Sequence, residues 1–430
     1  MLLTVGVVQS GRPEAWLGLE ESLAHLSRDM NEAALGLHDR GSGALADSWA
    51  DAVGELAGAE FKALAAGYEI VAIQLRAVCS VLSGLGVTLT GCQREVADWV
   101  TACSLKGCTW SDDGGVTPPL DAPVGLIDWA AAAQQALRDC LRRATEADEQ
   151  AAAVLTDWRL ASLDSSQDGS FDPDDDLALH LRDTLSLGVG GGIGALRAGV
   201  PVDGLPAEQR RWWDGLPEAE RGLYLRGLPL ELAGMAGLPG AVRAQLRRAD
   251  LGYDRLRMLE YANEHWDDKS IDWKDDDPND GREINNCTNF VSRSLEAGGL
   301  PSKGLTPWSA DSWGHLPWAH RWRHPGAYSD SWGGADQQHD LFTHSGSPTV
   351  GVAGAQPGDV IYWMHTTDGN GHAIGEEHHA AVVTRVLPNG DILYTQHSDS
   401  AVDLSLDGRL AVSNHGGDQD IQIVRVRRTW

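Results

Sequence analysis

Between about residues 13 and 161, apolar side chains recur every three or four positions, mostly Ala and Leu, with interruptions at Gly41-Ser42-Gly43, at 84–91 and at 112–123. That spacing predicts long antiparallel helices gathered into a bundle. The most apolar run, 70–89, carries Glu69 and Arg76 at helical spacing, which predicts a core helix and no membrane insertion. The stretch Leu187-Gly188-Val189-Gly190-Gly191-Gly192-Ile193-Gly194 has neither a preceding strand nor a following Gly-Lys-Ser/Thr. It therefore reads as a flexible connection, since a phosphate cradle needs that context. Trp212, Trp213, Leu216 and Leu223 supply enough apolar surface to dock one helix pair.

From about residue 253 the period changes. Apolar or alternating runs at 358–363, 379–386, 391–397 and 421–427 predict strands. The chain is thus expected to be multidomain: an all-α N-terminal bundle at 1–163, a connector at 164–250, and an α+β domain with an antiparallel sheet at 251–430.

At 430 residues, the chain can bury two or three cores. Its formal net charge of -28 opposes nonspecific binding to nucleic acid or anionic lipid. The first residues, MLLTVGVVQSGRPEAW, lack a basic leader region and a cleavage site, so no Sec signal peptide is expected. Five of the six cysteines (Cys79, Cys92, Cys103, Cys108, Cys140) lie in the N-terminal third. Their spacing lacks the paired CxxC and His of a zinc site. One or two disulfides among them would imply life outside the cytosol.

Cys287 stands apart. It opens Cys287-Thr288-Asn289-Phe290-Val291-Ser292, preceded by Asn285 and Asn286 and stopped by Gly298-Gly299. This predicts a helix beginning at or just before Cys287. A thiol there would meet the positive end of the helix dipole, which favours the thiolate; a buried core cysteine is the competing reading. The backbone N–H of Cys287 would give one oxyanion donor, with the side chains of Asn285 and Asn286 as candidates for the second.

A thiolate needs an imidazole to move protons and a third group to fix its tautomer. His379 begins one predicted strand and His397 ends the next, joined through Leu387-Pro388-Asn389-Gly390. A two-residue Asn-Gly turn would put the two histidines on opposite faces of the sheet. Pro388 at the second position of a type I turn and a left-handed Gly390 instead predict a three-residue loop. His397 would then pair with Ala381, and His379 and His397 would be diagonal neighbours on one face. His378 is the rival base, expected to project to the other side.

Two acidic segments are candidates for cation binding. Counting from Asp164, oxygen side chains at Asp164, Ser166, Asp168, Asp172 and Asp175, with Gly169 at the sixth position, follow an EF-hand register. Calcium or a solvated acidic linker would both account for it. The run from Asp267 to Asp280 fails that register because Pro278 takes a ligand position. Tryptophans at 308–332 would either wall a substrate cleft or fill the core.

Tyr253-Asp254-Arg255, Tyr261-Ala262, the Cys287 helix with its Gly pair, Gly358-Asp359-Val360-Ile361, His379 and His397 together resemble the bacterial "putative amidase" domain, related to the NlpC/P60 and CHAP cysteine hydrolases. The resemblance covers about the last 180 residues. It implies a papain-like fold and a cysteine-dependent amidohydrolase with Cys287 as nucleophile, His379 as base and His397 as orienting residue. No cofactor would be required. The implied substrate is a peptide or amide, with peptidoglycan stem peptides first; a protein-directed protease or deamidase and a non-catalytic secreted protein are the alternatives. The residue before the cysteine, often Asp in that family, is Asn286 here. At the other end, Trp49 between two helical patterns resembles the WXG-type helical modules of actinobacterial secreted proteins, although Ala50-Asp51 follows it. That resemblance implies cytoplasmic synthesis, then export to the cell envelope or beyond by secretion machinery, with an effector or toxin role and an immunity protein as partner.

Overall fold

The computed structural model describes residues 2–38, 49, 51–158, 176–177, 179–271, 286–304, 311–316, 328–366, 374–398, 400–408 and 419–430. The EF-hand-like residues Asp164, Ser166, Asp168, Asp172 and Asp175, the acidic run after Ile271, Asn285, and Trp308, Trp318 and Trp322 lie outside the described residues. The chain divides into two units, Met1–Arg221 with Leu387–Asn389, and Gly222–Val386 with Gly390–Trp430. The division thus falls inside the segment read as a connector.

The first unit is helical: α1 (Val5–Ser10), α2 (Pro13–Leu37), α3 (Ala52–Leu105), α4 (Val124–Trp158), α5 (Leu185–Ala198) and α6 (Pro206–Gly215), with a small antiparallel pair β1 (Thr109–Trp110) and β2 (Val116–Thr117). Asp51 caps α3, its carboxylate accepting from the N–H groups of Val53 and Gly54, each at 3.0 Å. Of the described helices α3 alone is long and apolar enough to cross a membrane, yet most of its apolar window is buried inside the bundle. Val81 and Leu85 pack with Ala147, Ala151 and Ala195 of α4 and α5.

Two glycine signals in this unit mean something other than a break. α3 runs straight through 84–91, and the stretch read as a flexible connection lies within α5. The physical reason is close packing of two backbones. A Cβ on Gly192 would strike the backbone of Ser80, one on Gly188 would strike Ala77, and one on Gly84 would strike the Gly192 carbonyl. The gain from that close approach offsets the helix-propensity cost of glycine, about 1 kcal/mol each. Gly192→Val is expected to lower stability by about 1–3 kcal/mol through overpacking. A urea unfolding curve whose midpoint stays at the wild-type value would refute this.

The second unit is α+β. Its sheet has strand order β3-β8-β4-β5-β6-β7, every neighbouring pair antiparallel: β3 (Thr349–Val350), β4 (Val360–His365), β5 (Glu377–Val386), β6 (Ile392–Gln396), β7 (Ala401–Ser405) and β8 (Gln419–Val424). Three helices, α7 (Arg255–His265), α8 (Cys287–Ala297) and α9 (Ala335–His344), cover one face. Period-2 alternation separates the two faces. Val360, Tyr362, Ala380 and Val382 join Met258, Phe290, Val291 and Phe342 in the helix-side core. Ile361, Trp363, Ala381, Val383 and Tyr394 form a second apolar layer.

The short motifs Tyr253-Asp254-Arg255 and Gly358-Asp359 are joints between these layers. Tyr253 is buried, Asp254 caps α7 by accepting from Leu256 N–H at 3.0 Å, and buried Arg255 donates Nε to the Leu246 carbonyl at 3.0 Å. Gly358 takes φ 90°, and a Cβ there would meet the Arg255 side chain. Asp359 then receives a forked pair of bonds from Arg425, Nε at 2.9 Å and Nη2 at 2.8 Å, and accepts Gln356 N–H at 2.9 Å.

Candidate active site

α8 begins at Cys287, where the sequence places it. Asn286 takes the cap position with φ -100° and ψ 4°, but its side chain makes no capping bond. Its Oδ1 instead accepts from Asn289 Nδ2 at 3.2 Å, while its N–H donates to Ser398 Oγ at 3.0 Å. The Asn286 carboxamide is therefore engaged with its own helix.

The helix is buried on nearly every side, and its polar groups are answered individually. Asn289 Oδ1 accepts from Trp332 Nε1 at 3.0 Å and from Arg293 Nε at 3.1 Å. Ser292 Oγ accepts from Trp313 Nε1 at 3.0 Å and Gln338 Nε2 at 2.7 Å, and donates to the Trp332 carbonyl at 2.9 Å. Gln338 Oε1 accepts the Tyr362 hydroxyl at 2.9 Å, which ties α8 and α9 to β4. Trp313 and Trp332 are thus core residues, holding the Cys287 helix through their indole N–H groups.

Cys287 is 1 % exposed. Burial pushes its thiol up, against the hydrogen bonds it receives from Thr288 and from the backbone N–H of Ala380. This corrects the expectation of a ready thiolate: desolvation outweighs the helix N-terminus. Cys287 opens the helix that packs on the sheet face lined by Ala380 and Val382, whereas the His379 ring packs on Trp363 of the opposite layer, so the structure does not bring the expected base, His379, to the sulfur.

The histidine register differs from the expected one. Near the turn, Val386 pairs with Ile392 and Arg385 with Leu393, the three-residue-loop alignment, and Gly390 has φ 90°. A bulge between Val383 and Arg385 then shifts the ladder, giving Val383 with Tyr394 and Val382 with Thr395. Ala381 consequently stands opposite Gln396 and not His397. One slipped residue exchanges the faces.

His379 Nε2 meets Gln396 Oε1 at 2.9 Å, and its ring packs on Trp363 at 5.0 Å. His397 lies on the other face, stacked on Phe290 at 5.5 Å and 17°, with Nδ1 donating to the Trp266 carbonyl at 2.8 Å. The pairing of His379 with His397 is therefore replaced by His379 with Gln396. Sequence reasoning missed Gln396 because nothing in the apolar pattern announces a bulge at Thr384. The available signal was Thr384 itself, a polar residue among apolar ones, whose Oγ1 donates to Asp403 Oδ1 at 2.6 Å.

A carbonyl oxygen can only accept, so Gln396 requires the proton of His379 on Nε2. In the neutral ring Nδ1 is then the basic nitrogen. His378 stacks on His365 at 4.2 Å, at the β4–β5 irregularity. Glu377 binds His339 Nδ1 at 2.8 Å, and burial together with Asp336 pushes its carboxyl up to about 8. Among the described residues, no group of three or more His, Cys, Asp or Glu is arranged to hold a metal ion.

Residues 252–422 match the family model described as "Putative amidase domain". The matched segment contains Cys287, His379, Gln396 and His397, and it supports an amidase-like domain acting on an amide-containing substrate. Over 153 residues the chain is 30% identical to the "Uncharacterized protein YhbB" of Bacillus subtilis (strain 168), an alignment covering 34% of this chain and 42% of that protein. The chain thus spans less than half of the length of that relative. No solved structure matches the chain.

Proposed function

We propose that the amidase-like domain is a cysteine-dependent amidohydrolase in which Cys287 is the nucleophile and His397 the base and acid. The supporting observation is that His397 stands on the helix-bearing face of the sheet, stacked at 5.5 Å on Phe290, one turn along α8 from Cys287, while His379 packs on Trp363 of the other face. The Trp266 carbonyl holds Nδ1–H of His397 at 2.8 Å, which leaves Nε2 as the basic nitrogen of the neutral ring. Because burial favours the neutral thiol, His397 Nε2 takes the sulfur's proton as Cys287 attacks the amide carbonyl. The same proton passes to the leaving amine, and the thioester left on Cys287 is hydrolysed by water. The N–H of Cys287 at the start of α8 stabilises the oxyanion. His397 and Ser398 hold the start of α8 through Phe290 and Asn286.

The substrate class we assign is the peptide part of the cell wall, on the family resemblance, with the protein acting after export as an envelope-directed effector. The test is to incubate the full chain and Cys287→Ala with purified peptidoglycan and follow released amines. Release by wild type and none by a folded Cys287→Ala supports the reading. Equal release by both refutes the cysteine mechanism. Inert wild type on peptidoglycan, with cysteine-dependent release from protein substrates, replaces the substrate class and keeps the mechanism.

A further inference from the structure

The helical unit holds a pair of thiols of its own. Cys92 sits on α3 and Cys140 on α4, respectively 1 % and 0 % exposed. Cys140 Sγ donates to the Cys92 carbonyl at 3.3 Å, which sets the two residues side by side across the α3–α4 seam. Around them Val96, Ala133, Leu137 and Ala144 form a tightly packed seam. One turn further along both helices, Arg143 Nη2 meets Glu95 Oε2 at 2.5 Å, and Arg143 Nη1 donates to the Gly199 carbonyl at 2.9 Å. That partly buried ion pair, with Glu95 29 % exposed, ties α3 to α4 beside the two cysteines.

We propose that Cys92 and Cys140 form a disulfide that cross-links α3 to α4 when the chain folds under oxidising conditions. The remaining cysteines of the unit are arranged differently. Cys79 lies by the Glu20 carbonyl at 3.5 Å, and Cys103 and Cys108 are joined at the end of α3 by a backbone bond from Cys108 N–H to the Cys103 carbonyl at 2.9 Å.

With oxidised glutathione as electron acceptor, the thiolate of one of the two cysteines breaks the glutathione S–S bond, forms a mixed disulfide and releases one glutathione thiolate. The other cysteine then attacks the protein sulfur of that mixed disulfide, forms the protein disulfide and releases the second. The protein loses two electrons and two protons, and one glutathione disulfide becomes two glutathione thiols. Because both sulfurs are buried in the packed bundle, the exchange belongs to folding.

The experiment refolds the full reduced chain with and without a mixture of reduced and oxidised glutathione, alkylates remaining thiols, and maps unreduced peptides by mass spectrometry. The expected result in the glutathione mixture is loss of two of the six alkylatable thiols and a peptide joining Cys92 to Cys140. Thermal unfolding of that product should shift upward relative to the reduced chain, and adding a reductant should remove the shift. Recovery of Cys92 and Cys140 both alkylated in the folded, glutathione-treated chain overturns the proposal, as does a map in which Cys103 and Cys108 are the only joined pair. Cys140→Ser serves as the second arm: it should leave Cys92 alkylated or carrying glutathione, and an unchanged cross-linked peptide would overturn the assignment.

Discussion

Replacing Cys287 or His397 by alanine is expected to lower amide hydrolysis by about 10⁴-fold or more, to the level left by binding and the oxyanion site. The two losses should not add, because the sulfur and the imidazole act on the same proton. Burial keeps the Cys287 thiol above its ordinary value of 9.0, so without the base almost no thiolate exists at neutral pH. In His397→Ala, alkylation of Cys287 by iodoacetamide should therefore climb as pH rises towards and past 9.0, with no plateau in the neutral range. A neutral plateau equal to that of wild type would show that His397 does not serve this sulfur. His379→Ala and Gln396→Ala, which break a bond on the other face of the sheet, should reduce turnover less than His397→Ala.

Asp359→Ala is expected to cost about 3–5 kcal/mol of folding stability, since it leaves the Arg425 guanidinium without its carboxylate. Asp359 is 2 % exposed, and burial raises its carboxyl despite the bonds from Arg425. The fork thus offsets only part of the desolvation of the acid, so the intact pair contributes little beyond apolar packing, and breaking it is what costs. A double replacement of Asp359 and Arg425 by leucine should recover much of the loss. Urea unfolding of the full chain, followed by tryptophan fluorescence, measures both. A single Asp359→Ala within about 0.5 kcal/mol of wild type, the range of an ordinary surface change, would contradict the role assigned to this joint.

The parts of this fold that are legible in sequence are those written by local rules. The start of α8 at Cys287 and its stop at Gly298-Gly299 follow from caps and helix spacing, and β4, β5, β6 and β8 appear close to where alternation puts them. What escapes is set by distant partners. Gly84, Gly188 and Gly192 look like breaks until the neighbouring helix is in place, because their meaning lies in an approach between α3 and α5. The thiol of Cys287 looks activated by its helix until the sheet closes over it. The pairing of His379 with Gln396 depends on one unpaired residue at Thr384, which no periodicity encodes.

That bulge gives the hairpin the character of a selector. A single backbone residue decides which of two neighbouring side chains reaches the helix-bearing face of the sheet. Without the bulge the carboxamide of Gln396 would face α8 and the imidazole of His397 would stand on the side of His379. With it, the His397 ring lies against Phe290, its Nδ1–H anchored on the Trp266 carbonyl, and Gln396 is turned to the other layer.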